Sequence, residues 1–157
     1  MRGSKTIRKR ELKPDLKYGH IIVAKLINYV MKNGKKETAA KIVYQAMAEI
    51  EKKMKTDPIK IFEQAVANAS PMLEVKARRI GGATYQVPME VKKSRQLELV
   101  LRWISTNARK RKGQPTYKTL AEEILADFRG EGEACRKKEE LHKIAQANKA
   151  FAHYARF

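Results

Sequence analysis

Glu74-Val75-Lys76-Ala77-Arg78-Arg79-Ile80-Gly81-Gly82-Ala83-Thr84-Tyr85-Gln86-Val87-Pro88-Met89-Glu90-Val91 is the one clear hairpin signal in a sequence that otherwise has helical periodicity. Leu73, Val75 and Ala77 fall on one face of the first arm, with Glu74, Lys76 and Arg78 on the other. Tyr85, Val87, Met89 and Val91 share a face in the second arm. A period of two residues is that of a half-buried strand. Gly81-Gly82 supplies the positive φ values that a tight hairpin turn needs. Pro88 has no N–H to give to a ladder, so its strand is an edge or is interrupted there. Lys76, Arg78 and Arg79 precede the turn, which predicts a cationic tip projecting from a helical body.

Upstream of the hairpin the spacing predicts three helices. Val23, Leu26, Ile27, Val30 and Met31 recur at helical spacing over 20–33, with Lys32 in the last turn and Gly34 where a C′ glycine belongs. Ala39, Ile42, Val43, Ala46, Met47 and Ile50 form the core face of a second helix over 37–55. Asp57-Pro58 is an N-cap followed by proline at the first helical position, and Ile59, Phe62, Val66 and Ala69 line one side of the third helix. Downstream, Ser94 is the expected cap of a fourth helix with Leu97, Val100, Leu101, Ile104 and Ala108 buried and Trp103 on the flank. Thr116 is the expected cap of a fifth helix through Phe128, with Leu120, Ile124, Leu125 and Phe128 inward. A sixth helix is expected over 134–152, with Leu141, Ile144, Ala145 and Ala152 inward and Arg136, Lys137, Lys138 and Lys143 outward. The fold class is therefore mainly α: one domain of about six helices, with an extended β-hairpin arm at 72–91 between the third and fourth. Residues 1–17 are basic and poor in apolar side chains, and are expected to form a flexible arm ahead of the domain at 18–157.

Charge narrows the function. The chain has 157 residues with 35 Lys and Arg against 17 Asp and Glu, a net charge of +18. So large an excess repels itself in a compact body, and a polyanionic partner supplies the missing negative charge. Nucleic acid leads, ahead of an anionic membrane surface. The apolar fraction of 43% argues against wholesale disorder. Cys135 is the only cysteine, so no intrachain disulfide is possible. The basic N-terminus lacks a following apolar stretch, and the run Ile21 to Ala24 is too short to span a bilayer. A transit-peptide reading of Arg2 to Arg10 is opposed by Glu11 and Asp15.

Catalytic chemistry is not indicated. His20, His142 and His153 have no ligand-spaced His, Cys or carboxylate partner, and no cofactor is expected. Cys135 beside Arg136 has the setting for a lowered thiol pKa but no base partner. Gly34-Lys35-Lys36 lacks the upstream glycine of a P-loop. A carboxylate pair assembled only in three dimensions escapes such a search.

The expected nucleic-acid contacts are Arg2, Lys5, Arg8, Lys9 and Arg10 in the arm, Lys35 and Lys36 in the corner after the first helix, and Lys76, Arg78, Arg79 and Tyr85 in the hairpin. Lys92, Lys93 and Arg95 follow the hairpin, Arg109, Lys110, Arg111 and Lys112 end the fourth helix, and Lys149, His153, Tyr154 and Arg156 lie in the tail. A reader of DNA sequence concentrates such residues on one recognition helix. Their dispersal suits a folded RNA grasped on several sides, with exposed rings such as Tyr85 and Tyr154 able to stack on unpaired bases. An architectural DNA-binding protein is the alternative, and an enzyme acting on RNA a third.

Several runs carry a resemblance: Leu26-Ile27-Asn28 with Gly34-Lys35-Lys36 and Ile42-Val43-Tyr44, then Pro71 to Pro88, Arg102-Trp103-Ile104, Ala108 to Arg111, and Ala145-Gln146-Ala147-Asn148-Lys149-Ala150-Phe151-Ala152-His153-Tyr154. Over nearly its whole length the chain resembles the small-subunit ribosomal protein seven family of the bacterial type. It departs at His20, where a small or polar residue is usual, and in the variable end Ala155-Arg156-Phe157. The resemblance implies six helices with an extended hairpin. It also implies a primary rRNA-binding protein that nucleates assembly of the head of the small subunit, near the tRNA exit site. The implied partners are head-domain rRNA, exit-site tRNA, mRNA and small-subunit proteins nine and eleven, with no membrane. The implied location is the cytoplasmic ribosome, and an organellar ribosome stays open.

Overall fold

The computed structural model describes residues 12–156; the side chains of 155 and 156 are not described. Six α-helices occur in the order α1 (Ile21–Val30), α2 (Lys36–Met54), α3 (Pro58–Ala69), α4 (Lys93–Lys110), α5 (Thr116–Arg129) and α6 (Glu133–Ala147). Strands β1 (Leu73–Ile80) and β2 (Ala83–Glu90) lie between α3 and α4, and a 3-10 helix (Lys149–Arg156) ends the chain. The mainly helical fold with a hairpin between the third and fourth helices is as expected.

α5 is the axis of the body and packs against α2, α3, α4 and α6. Leu120 and Ile124 of α5 meet Met47 and Ile50 of α2, Phe62 of α3, and Leu101 and Ile104 of α4 in one cluster, each at most 1% exposed. α1 adds Val23, Leu26 and Ile27. The Asp57 carboxylate accepts the Ile59 N–H at 3.0 Å, so the cap ahead of Pro58 forms as the sequence indicates.

Four expectations are corrected. α1 ends at Val30, so Lys32 is outside its last turn and Gly34 is not its C′ residue. Its terminal carbonyls, of Tyr29 and Val30, instead accept bonds from Arg109 Nη2, each at 2.9 Å. Asn33 and Gly34 form the following turn at positive φ. Neither Ser94 nor Thr116 caps a helix; extended Lys92 takes the cap position of α4 two residues before Ser94, and extended Pro115 that of α5 one residue before Thr116. The sixth helix is broken at Asn148, whose Nδ2 bonds the Ile144 carbonyl at 2.9 Å before the chain tightens into the 3-10 helix. Ile144 and Ala152 are exposed rather than inward, and Lys137 and Lys138 are half-buried rather than outward.

In the hairpin, Val75 stands opposite Pro88, Arg78 opposite Tyr85, and Ile80 opposite Ala83. Gly81 and Gly82 have φ of 57° and 90°, which a side chain would strain. A two-stranded ribbon has only edges, so Pro88 leaves no interior bond unmade. Burial is one-sided in a way the alternation did not foresee. Val87, Pro88 and Val91 are buried, whereas Leu73 and Val75 are half-buried and Ala77 is exposed.

Candidate nucleic-acid interface

The cations identified from sequence fall into two groups. In the first, the side chain is already bound to the protein. Arg95 Nη2 meets Glu74 Oε1 at 3.1 Å and its Nη1 meets Glu98 at 3.4 Å, which ties α4 to the base of the hairpin. Arg109 caps α1 as described. Arg111 reaches Glu123 Oε2 at 2.8 Å and Glu122 at 3.5 Å. Three arginines of the dispersed runs, Arg95, Arg109 and Arg111, therefore do structural work.

In the second group the side chains are exposed and make no ion pair among the described residues. These are Lys35 and Lys36 at the α1–α2 corner, Lys76 and Arg79 in β1, Lys92 and Lys93 at the start of α4, Lys110 and Lys112 at its end, and Lys149. Arg78 is half-buried in β1. The fold brings the corner of this second group beside Arg109 of the first. A hollow of about 200 Å³ is lined by Lys35, Thr38, Ile42 and Arg109, and also by Lys32, which the sequence reading had not placed in the site. Three cations converge there beside the N-terminus of α2, a setting for one phosphate. Arg2, Lys5, Arg8, Lys9 and Arg10 lie outside the described residues. The last part of the expected flexible arm is held: Asp15 accepts the Tyr44 hydroxyl at 2.6 Å and the N–H groups of Lys17 and Tyr18 at 3.1 Å each. Against that carboxylate the Tyr44 phenol is pushed up to about 12, the bond itself being the main cause.

The expected stacking rings are engaged with each other. Tyr85 packs on Phe151 and Tyr154, with ring centroids 5.2 and 5.5 Å apart. His153 is exposed, its ring 3.9 Å from that of Tyr154, and its Nδ1 lies 2.9 Å from the Ala150 carbonyl. The other histidines are structural. His20 Nε2 lies 3.0 Å from Glu63, and His142 Nε2 accepts the Met72 N–H at 3.0 Å.

Sequence reasoning missed a carboxylate pair on α5. Glu123 and Asp127 are four residues apart and fully buried. Glu123 takes Arg111 on one side and the Asn107 amide on the other at 3.2 Å, and Lys137 closes the chain onto Asn107 at 3.1 Å. Asp127 sits at the N-terminus of α6, where Oδ1 accepts the Cys135 N–H at 3.3 Å and Oδ2 has no partner among the described residues. Burial first, and then the Glu123 charge, push the Asp127 carboxyl up to about 7. A Cβ on Gly132 would run into this carboxylate, so the α5–α6 turn needs glycine there for space rather than for φ. Cys135 is buried, and its thiol is pushed up to about 11 by desolvation and by Asp127, which overturns the lowered value its neighbour Arg136 suggested. The available signal was a Glu and an Asp falling in step with Leu120 and Ile124. Among the described residues no cluster of three or more His, Cys, Asp or Glu is placed to hold a metal, and no helix is long and apolar enough to cross a membrane.

A helical body that mounts a cationic ribbon, with unpaired lysines on several faces, defines a polyanion-binding structural protein. The chain belongs to the family of ribosomal protein S7p/S5e, whose model matches residues 2–149. Its relatives include the small ribosomal subunit protein uS7 of Thermotoga petrophila, 56% identical over 145 residues that cover 92% of this chain and 94% of that protein. The uS7 of Dictyoglomus turgidum is 55% identical over 145 residues, 92% and 93% of the two chains. That of Chloroflexus aggregans is 47% identical over 150 residues, 96% of each. The family is one of structural ribosomal proteins, not of enzymes.

Proposed function

We propose that this protein is a structural component of the small ribosomal subunit that binds the rRNA of the head domain and nucleates its assembly. In this reading the hairpin lies near mRNA and the exit-site tRNA, and small-subunit proteins nine and eleven are neighbours. The observation that carries the proposal is the second group of cations. They stand exposed on the α1–α2 corner, the hairpin and both ends of α4, all fixed to one core. Phosphates bound at separate patches are thereby held in one relative geometry, and release of their counterions drives binding. Lys149, exposed beside the hairpin, extends the same surface towards single-stranded partners.

The test is a salt-titrated binding assay on head-domain rRNA against duplex DNA of equal length. Tighter binding to the rRNA, with a slope reporting roughly six or more phosphates, is the expected result. Equal affinity for both would favour the architectural DNA-binding reading instead.

A further inference from the structure

The hairpin is a two-stranded ribbon, and such a ribbon is marginal by itself in water. Its base is tied to the body by His142 to the Met72 N–H, by Arg95 to Glu74, and by buried Val87 and Pro88. Beyond Val87 the strands leave the core, and Ala77, Arg79, Thr84 and Gln86 are exposed. In this outer half Tyr85 is seated on Phe151 and Tyr154. Those two rings lie 6.5 Å apart and within 15° of parallel. Their arrangement follows from the backbone. A 3-10 helix turns once in three residues, so side chains three apart eclipse and present themselves on one side. The break at Asn148 therefore converts an α-helix that had run out of core into a segment that faces two rings towards β2.

We infer that the C-terminal 3-10 helix is a latch for the hairpin, with Tyr85, Phe151 and Tyr154 as the positioning residues that set the inclination of the ribbon and so the location of its cationic tip. The latch acts in the free protein and needs no RNA. It also makes two uses of the rings exclusive: while Tyr85 is packed on Phe151 and Tyr154, that face of the ring is not available to a base.

Amide hydrogen exchange on the full-length free protein, read beside thermal unfolding, tests the latch. Tyr85→Ala is expected to speed exchange of the hairpin amides by on the order of tenfold, the equivalent of losing two ring pairs, through more frequent local opening. Exchange in α2, α3 and α5 and the unfolding midpoint should stay unchanged. Tyr154→Ala, made from the other side of the contact, should reproduce the effect, and Tyr85→Phe should keep the hairpin slow. Unchanged hairpin exchange in the two alanine variants would overturn the latch. So would equal acceleration in hairpin and core, which would make these rings part of the cooperative body instead.

Discussion

Asp127 shows how one side chain can put a pH dependence into a protein with no acid–base chemistry. Its carboxyl is raised from the ordinary 3.8 to about 7 by burial and by Glu123. A raised carboxyl favours the folded state fully below its unfolded value near 4, and that contribution is lost as pH rises through 7, where the native carboxyl releases its proton and the charge is left buried. The Asp127→Asn variant keeps an oxygen for the Cys135 N–H and removes the ionisation. Its stability relative to the parent should therefore increase between pH 4 and pH 8, by about 1 to 3 kcal/mol. Denaturant unfolding of both proteins across that range gives the answer, and parallel curves would remove Asp127 from the account. In the sequence the one sign of this residue and its partner was their step with Leu120 and Ile124. Read singly, Glu123 and Asp127 are ordinary helix residues; only the packing of α3, α4 and α6 around α5 makes them buried.

At the scale of elements, the end of α4 separates two jobs that Arg109-Lys110-Arg111-Lys112 had merged into one expectation of phosphate binding. Arg111 neutralises buried Glu123, while Lys110 and Lys112 point to solvent unpaired among the described residues. Arg111→Ala would leave Glu123 charged in the interior. For a fully buried pair that costs about 3 to 5 kcal/mol, and the partial exposure of Arg111 reduces the expected loss to roughly 1 to 3 kcal/mol. By contrast, Lys76→Ala with Arg79→Ala in β1 should leave the unfolding midpoint within error and lower the salt slope of RNA binding by up to about two. Urea unfolding and salt-titrated binding on the two variants distinguish these roles, and a destabilised hairpin variant would contradict the assignment. The helices and the hairpin were legible because period, proline and glycine are local signals. The end of α1 was misread because its carbonyls are capped by an arginine far along the chain. The sixth helix was read too long because nothing local says that its core stops at Ala145 and that the rings beyond serve the hairpin.

For the whole molecule, the excess of cations was legible in the sequence, yet its division into side chains bound within the protein and side chains open to solvent required the fold. That division decides what the body can do. The open patches at Lys35 and Lys36, at Lys92 and Lys93, and at Lys110 and Lys112 sit at the α1–α2 corner and at the two ends of α4, on elements packed about one axial helix, so their separations are fixed. Two patches that engage two RNA helices of one molecule act as linked sites, and the second contact forms at a high effective concentration. On an intact multi-helix RNA, Lys35→Ala with Lys36→Ala should then cost far more affinity than on any single helix excised from it. Adding Lys92→Ala and Lys93→Ala should cost less than the product of the separate effects once the linkage is broken. A body that merely carries positive charge behaves differently. Each lysine lost would then lower the salt slope by about 0.9 on duplex regions whatever the architecture of the RNA, and the losses would multiply. Binding of the parent, both double variants and the quadruple variant to the intact RNA and to its separate helices decides between a rigid mount and a diffuse cation.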